Sequence, residues 1–412
     1  MLEHLFKLIW NQRRANGWIL VELFLVFILL WFCCYKLYVD ISRLSEPMGF
    51  DYEHVYKVEL RDIPPSSSAY PGDSNRAEAM FELADRIKTC PGVEAVTVSG
   101  CALPFMPYWN GGMLYSKNAD QWVKVGEATP EIIDVLQWKP LRENTDLKQV
   151  FTDNKILFTA DVYKNLTERD SSQVEEIYTN PEKTEVFGLQ GIMEPVKLMS
   201  YQKYQTSYFR LVTRHEAIER GWLMNGGEVS FRVKPEVDKN FSETFFDFLS
   251  GNLMYGNQIV ADIKSLDRYR KEYYTKGGEE DSFMQTLFIL GFFMMNVFLG
   301  VIGTFWIRTE GRKEEMGLRI AIGSSRSRLQ GMMMTEGLLL LAIVWIPAVL
   351  ICINMGVTGA LSSILDLEFT WIDTLLSLLI TTGIMGVMIL AGIIYPARQN
   401  ANIEPAEALH YE

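Results

Sequence analysis

The residue types that usually carry chemistry are sparse in this sequence, and their spacing does not form a catalytic or metal site. The Gly-Lys dipeptide that ends a phosphate-binding P-loop does not occur among the 412 residues. The pair His215-Glu216 is followed by Glu219 at the position where a helical zinc site needs a second histidine. We therefore expect no catalytic, cofactor-binding or metal-binding residues, and we expect that the chain is not itself an enzyme.

Two carboxylates stand out because long apolar runs surround them, namely Glu22 and Glu336. A charge buried in lipid is costly, so acids in such runs are functional candidates by default. Each lies within about one helical turn of the end of its run, from where it can reach water or a nearby arginine. For Glu22, structural anchoring and an ion or proton path both remain open.

These acids belong to two of four apolar segments, which span 18–39, 283–307, 332–355 and 374–395. A helix needs about 20 mostly apolar residues to cross a bilayer, and each segment has that length. The segment 40–282 between the first two reads as an ordinary folded domain. The sequence therefore predicts a membrane protein with four transmembrane α-helices and an α+β domain inserted between helices 1 and 2.

Basic residues beside the four segments predict the orientation of the chain. Lys7, Arg13 and Arg14 precede the first segment, and six more basic residues lie between the second and third, whereas 356–373 has none. Lys and Arg concentrate in cytoplasmic loops. We therefore expect the N-terminus 1–17, the segment 308–331 and the tail 396–412 in the cytoplasm. The domain 40–282 and the short loop 356–373 are expected outside it.

The domain 40–282 carries most of the net charge of −12. An acidic surface repels phosphate backbones, so we expect no nucleic-acid partner. Its first part reads as strand, helix, strand: Val55–Leu60 alternates, Asn75 with Glu78 forms a capping box, and Val93–Val98 is extended. We predict an α/β lobe from 45–150 plus 220–275, with a β-rich insertion at 151–219.

Two cysteines of this domain, Cys90 and Cys101, could form a disulfide outside the cytoplasm. The residues between them read as a turn followed by an extended strand, which separates the two Cα atoms. A disulfide needs these atoms within about 7 Å. Two free thiols are therefore favoured, and a bridge remains open.

The cytoplasmic segment 308–331 combines charges at its start with Met316 and Ile320 one helical turn apart. Gly323 is typical of a helix end, and Ser324 or Ser325 can cap the helix that follows. The pattern predicts a short helix held against the membrane. A solvated connector would show the same positive charge, so that alternative stays open.

This segment also carries a family resemblance. The run Arg312-Lys-Glu-Glu-Met-Gly-Leu-Arg-Ile-Ala-Ile-Gly-Ser-Ser resembles a stretch of MacB/FtsX-like ABC transporter permeases. Matching places are taken by Glu315, Met316, Gly317, Leu318, Arg319, Ala321, Gly323 and Ser325, and Glu336 stands where the family carries a Glu opening the third span. Met316 departs from the usual Ile. The tail from Pro396 to Leu409 and the outer segments at Cys90 and Thr129 are also similar to the family.

The resemblance implies a MacB periplasmic core-like outer domain and a multi-pass protein of the bacterial plasma (inner) membrane. It implies a separate ABC ATPase subunit, a second permease protomer (the same chain or another), and a periplasmic adaptor or other envelope protein as a further partner. The ATPase-coupling residues would be Arg312, Glu315, Met316, Gly317, Leu318, Arg319, Gly323, Ser325 and Glu336. The dimer would pair spans one and two, where Gly300 and Gly303 permit close backbone approach.

Two functions follow from the resemblance. The first is export or extraction of a hydrophobic or peptide-like substrate, driven by motion of the outer domain. The alternative is mechanotransmission without transport, in which the outer domain regulates a cell-envelope hydrolase or a sensor. The sequence does not distinguish between them.

Overall fold

The computed structural model describes residues 13–401 except 73, 117–119, 144, 149–154, 170–176, 179, 185, 205, 221–226, 250, 278, 311–317 and 362–368. The chain divides into two compact units. The helical unit comprises Met1–Ser42 and Glu280–Glu412, and the outer unit is Arg43–Glu279.

The main helices belong to both units and are numbered in chain order. They are α1 (Arg13–Ser45), α2 (Arg76–Lys88), α3 (Ile132–Val135), α4 (Ala160–Arg169), α5 (Arg214–Arg220), α6 (Phe241–Leu249), α7 (Leu266–Gly277), α8 (Glu279–Glu310), α9 (Arg326–Val357) and α10 (Trp371–Ala401).

Four of these helices, α1, α8, α9 and α10, are long and apolar enough to cross a membrane. Each contains one of the predicted spans and extends beyond it at both ends. Helices suit this environment because all their central backbone groups bond within the segment, where lipid offers no partners. The four transmembrane helices with an α+β domain between the first and the second are thus confirmed.

The helical unit is held together by apolar side chains from all four helices. Phe27, Leu30, Trp31 and Tyr35 of α1 are fully buried in it. The indole Nε1 of Trp31 donates to Ser377 Oγ of α10 at 3.0 Å. A buried indole N–H needs such a partner, so this bond fixes α1 against α10.

The described strands of the outer unit form one mixed sheet. They are β1 (Val55–Asp62), β2 (Val93–Gly100), β3 (Asn110–Tyr115), β4 (Asp120–Ala128), β5 (Lys155–Thr159), β6 (Ile177–Tyr178), β7 (Val186–Met193), β8 (Ser207–Leu211), β9 (Gly227–Val233), β10 (Met254–Tyr255) and β11 (Gln258–Ser265).

The sheet has an open half and a closed half. The open half runs β10-β11-β1-β9-β2-β4 through antiparallel pairs. From β4 the order continues β3-β6-β7-β5-β8, and β8 then pairs in parallel with β4, from Lys124↔Ser207 to Ala128↔Leu211. Strands from both predicted segments, the lobe and the insertion 151–219, therefore pair with one another through β3 and β4.

Helix α2 covers one face of the open half. Asn75 caps it as the sequence predicted, since its side chain accepts from Ala77 N at 3.0 Å and Glu78 N at 3.3 Å. Its buried face, with Met80 and Ile87, packs in the same core as Phe231 of β9. Fully burying side chains of this size contributes about 1.5–3 kcal/mol each. The amphipathic pattern of the sequence thus accounts for this layer.

The cysteines Cys90 and Cys101 are separate thiols in the structure. Cys90 is buried at the end of α2, and Cys101 has a positive φ of 54° directly after β2. The strand between them keeps the two residues at opposite ends of β2, as the extended pattern of the sequence indicated.

Candidate functional site

Five of the nine predicted coupling residues lie in the described part of the helical unit: Leu318, Arg319, Gly323, Ser325 and Glu336. The other four, Arg312, Glu315, Met316 and Gly317, lie outside the described residues. Residues 318–321 are helical and lead through a turn into α9. The described site is therefore this turn and the start of α9.

The short helix ends at Gly323 with a Schellman motif. Ser324 N donates to Arg319 O at 2.9 Å, and Gly323 N donates to Ile320 O at 2.9 Å. Gly323 has φ +100°, which a residue with a Cβ rarely adopts. The motif satisfies the last carbonyl groups of the helix, and it sets the direction in which the chain leaves it.

Helix α9 begins three residues later, at Arg326, with Ser325 as its N-cap. The Ser325 backbone is extended, with φ −71° and ψ 147°, and its hydroxyl accepts from Arg328 N at 3.4 Å. Of the two serines that the sequence offered, Ser325 is thus the cap. A short helix stop and a helix start share only two linking residues, so the turn has little freedom to bend.

Two apolar side chains project from this turn. Leu318 is 52% exposed and Ile322 is 77% exposed. They lie four residues apart and so share one helical face. The sequence pattern predicts an apolar face at Met316 and Ile320 instead, but Ile320 is half-buried and Met316 lies outside the described residues. The i, i+4 spacing of Leu318 and Ile322 was the signal that could have found this face.

Arg319 points towards α9. Its Nη1 atom lies 3.7 Å from Met332 Sδ, and the side chain is half-buried. The guanidinium therefore helps to hold the short helix against the start of α9, while part of it stays accessible. Glu336 lies three turns into α9 and is 2% exposed, on the same buried face as Met333 and Leu340.

Glu22 of α1 is half-buried and faces α8. A Cβ atom added at Gly300 would meet Glu22 Oε1, so a larger residue at position 300 would require the carboxylate to move. Glu22, Gly300, Thr304 and Gly337 line a cavity of about 10 Å³. That volume is close to the room that one water molecule needs.

The two small residues of the second span, Gly300 and Gly303, have different surroundings within the chain. Gly300 packs against Glu22 of the same chain. Gly303 has no neighbouring atom within 4 Å of an added Cβ, so it remains exposed on α8. Thr304 and Gly337 were not singled out from the sequence, because neither position carries a charge or a motif.

Within the described residues, no three His, Cys, Asp or Glu side chains lie close enough together to hold a metal ion. His215 lies 3.4 Å from Glu219 one helical turn on, and both are largely exposed. The described geometry of the helical unit offers a turn with exposed apolar groups and a small intramembrane carboxylate cavity.

Comparison with known proteins bears on these residues directly. Residues 287–405 match the family model described as FtsX-like permease C-terminal. The match begins within α8 and includes the Gly323 turn, α9 and α10. No curated protein sequence matches the chain significantly.

Three solved structures resemble part of the chain. A domain of a protein described as a permease from Porphyromonas gingivalis is 12% identical, with a TM-score of 0.35, over 52% of this chain and 90% of that one. The extracellular domain of the noncanonic ABC-type transporter YknZ from Gram-positive bacteria is 14% identical, with a TM-score of 0.31, over 50% of this chain and 100% of that one. The periplasmic region of MacB from Actinobacillus actinomycetemcomitans is 10% identical, with a TM-score of 0.32, over 56% of this chain and 97% of that one.

TM-scores of this size carry no argument by themselves, so the assignment depends on the family match. That match covers the three helices that follow the outer unit, together with the turn that was singled out from the sequence. The molecule is a membrane protein with an extracytoplasmic domain between its first two long helices. The family match therefore identifies the part of the chain from α8 to α10, residues 287–405, as similar to the C-terminal region of FtsX-like permeases.

Proposed function

We propose that this chain is the permease subunit that couples ATP hydrolysis by a separate ABC ATPase to motion of its extracytoplasmic domain. The work done is export or extraction of a hydrophobic or peptide-like substrate. The observation that carries the proposal is the Gly323 turn, with Leu318 and Ile322 exposed beside it.

The turn suits a coupling element because both helix ends that meet in it are fixed by hydrogen bonds. The Ser325 cap alone is worth about 1 kcal/mol, by the usual cost of removing such a cap. A partner that moved residues 318–323 would therefore move the start of α9 with them. A flexible connector would absorb the same displacement.

The exposed pair Leu318 and Ile322 gives an ATPase a small apolar anchor, and Arg319 lies between them in sequence. Apolar groups at the centre of an interface supply much of its binding energy, and charged groups at its rim steer the encounter. The N-terminus, the turn and the tail are proposed to be cytoplasmic, in keeping with their basic residues.

The cavity beside Glu22 favours work done at the outer face of the membrane rather than passage of the substrate through one protomer. Its volume of about 10 Å³ is far too small for a peptide or lipid. Motion of the outer domain would do the work, and the permease would act as a dimer on a pair of ATPases. The same observation fits mechanotransmission to an envelope hydrolase or sensor, which is the second candidate.

The coupling proposal is tested with the full chain and the ABC ATPase that co-purifies with it in mild detergent. Arg319→Glu should reduce ATPase association, because the charge beside the apolar pair is reversed. Gly323→Val should disrupt the turn, because a β-branched residue strongly disfavours a φ of +100°. Matched controls are Arg398→Glu in α10 and Gly331→Ala, a helical glycine with open space around it.

Both test variants should lower permease-stimulated ATP turnover about tenfold or more, while both controls leave it near wild type. That factor corresponds to a loss of about 1.4 kcal/mol of interaction. If Arg319→Glu and Gly323→Val insert normally and leave association and stimulated turnover unchanged, the turn is only a connector. A separate experiment distinguishes transport from signalling, in vesicles that hold only the permease and the ATPase. Transport predicts that substrate leaves the outer leaflet of these vesicles, and signalling predicts that it does not.

A further inference from the structure

A cleft of about 360 Å³ opens in the outer unit beside strand β1. Its walls come from β1, the first residue of α2 and the segment that follows β2 and leads into β3. Clefts of about 300–1,000 Å³ are the size that small-molecule sites have. The lining includes three charged side chains and two aromatic ones, namely Lys57, Glu59, Arg76, Tyr108 and Trp109.

Lys57 places an ammonium group at the cleft wall. Its Nζ lies 3.4 Å from Tyr108 Oη and 3.7 Å from Met106 Sδ, and it sits over the ring of Tyr269 at 4.9 Å. Among the described residues no carboxylate lies within salt-bridge distance of it. Glu59, its neighbour on the same face of β1, accepts from the Tyr269 hydroxyl. Lys57 can therefore give its charge to a ligand.

A buried acid fixes the position of Tyr108. The Tyr108 hydroxyl donates to Glu228 Oε1 at 2.5 Å, and Glu228 is 1% exposed. Its other oxygen, Oε2, is buried and has no hydrogen-bond partner among the described residues. Burying a polar group without a partner costs stability. This cost, placed directly behind the cleft wall, indicates a site built for a purpose other than stability.

Trp109 supplies an apolar surface at the same cleft. It is 48% exposed and packs edge-to-face against Trp122 with ring centroids 5.3 Å apart. Lys124 lies 5.0 Å from the Trp109 centroid. A half-exposed ring held in place from one side offers its other surface to an aromatic or branched group.

We propose that this cleft binds a ligand with one carboxylate group attached to an aromatic or branched apolar group. The carboxylate pairs with Lys57, and the apolar group packs on Trp109. A second negative charge next to Lys57 is disfavoured because Glu59 lies on the same wall and Glu228 directly behind it, and Arg76, the other cation of the lining, pairs with Asp62 at 3.4 Å. Two kinds of molecule carry these groups: a short apolar peptide, through its C-terminal carboxylate, and a small free organic acid.

This proposal rests on the proposed function: if the ligand is a peptide, the cleft identifies peptides as the substrate class of the permease. Ligand binding is nevertheless measured without ATPase. If Arg319→Glu abolishes ATPase stimulation and ligand binding persists, the two proposals stand separately. If binding fails while ATPase stimulation behaves as proposed, only the cleft proposal is wrong.

The experiment titrates full-length protein in detergent by calorimetry with three probes: leucyl-phenylalanine, its C-terminal amide, and 3-phenylpropionate. At least one of the two acids should bind saturably, and the amide should bind about tenfold or more weakly than the dipeptide, the worth of a hydrogen bond to a charged group. Lys57→Met should lose the same factor, Lys57→Arg should retain binding, and Trp109→Ala should also weaken it.

Lys234→Met, at an exposed lysine of the same unit, is the matched control and should bind as wild type. A dipeptide that binds tighter than 3-phenylpropionate assigns the site to peptide C-termini, and the reverse order assigns it to free acids. The proposal is overturned if neither acid binds, if the amide equals the acid, or if Lys57→Met and Lys57→Arg bind alike.

Discussion

Glu228 gives the clearest quantitative prediction, because its side chain is buried without a cation in hydrogen-bond contact. Burial raises the pKa of Glu228 from 4.5 to about 7, and Glu59 adds to the rise. Lys57 and the Tyr108 hydroxyl lower the pKa but offset only part of the effect. The folded outer unit therefore prefers the protonated acid, whereas the unfolded chain ionises at an ordinary pH. The perturbation is Glu228→Gln, which removes the titration and keeps the shape.

The sign follows from the direction of this shift. A carboxyl whose folded pKa is raised contributes its full stability below the unfolded pKa, near 4.5, and loses it as pH rises through about 7. A difference of 2.5 pH units between the two pKa values (7 minus 4.5) lowers the free energy of unfolding by about 3 kcal/mol above pH 7. About 1 kcal/mol of this loss has already occurred at pH 5. Relative to Glu228→Gln, the wild-type outer unit should therefore lose about 2 kcal/mol between pH 5 and pH 8.

The assay is hydrogen exchange of amides in β2 and β9 of the full-length protein in detergent, with rates normalised to intrinsic exchange at each pH. The opening free energy of wild type should fall relative to Glu228→Gln as pH rises. Glu94→Gln, at an exposed carboxylate of β2, should follow wild type at both values. A pH-independent difference between wild type and Glu228→Gln would refute the reasoning, and so would a difference of opposite sign.

Three other predictions follow from local contacts. Gly300→Ala should raise the melting temperature of the helical unit more in a Glu22→Ala chain than in wild type, because only the wild-type chain has a carboxylate where the new Cβ would lie; equal shifts would contradict the contact. Asn75→Ala should cost the outer unit about 1 kcal/mol in denaturant unfolding, as loss of an N-cap does; an unchanged midpoint would contradict the capping role. In a chain whose Cys90 and Cys101 are replaced by serine, an impermeant maleimide applied to intact cells should label Lys88→Cys in the outer unit and leave Arg326→Cys unlabelled, and the reverse pattern would overturn the proposed orientation.

Features that depend on a few adjacent residues could be predicted from the sequence. The four long helices follow from apolar length, and Asn75 follows from the capping pattern. Gly323 and Ser325 were identified because a left-handed helix end and an N-cap each favour a few residue types. These features are fixed within one or two turns of chain, so long-range packing does not override them.

Features that depend on distant contacts could not be predicted in this way. In β9 the sequence alternates Val229, Phe231 and Val233 with polar residues, which is typical of a strand with one wet face. The structure buries both faces. Arg232 donates to Val135 O at 2.8 Å and to Asp51 O at 2.7 Å, so remote loops satisfy it. Alternation does not reveal a covering layer that comes from other parts of the chain, which is why the burial of Glu228 was missed.

The contact of Glu22 with Gly300 was missed for the same reason. Each residue was noticed, the acid as a membrane carboxylate and the glycine as a small residue suited to a dimer. Nothing in either local pattern indicates that they face one another across α1 and α8. Pairing information of this kind is held in the packing of helices far apart in sequence.

The pairing of β8 with β4 affects how other proteins can recognise the outer unit. Because that pairing closes half of the sheet on itself, the strand order of the described sheet ends at β10, which is two residues long and pairs only with Gln258 and Ile259 of β11. A peptide or neighbouring chain that binds by adding a strand needs a longer row of unpaired backbone groups. The closed half of the sheet therefore offers such a partner fewer strand edges than an open sheet of the same strands would. The same closure protects the domain from edge-to-edge aggregation while it folds outside the cytoplasm.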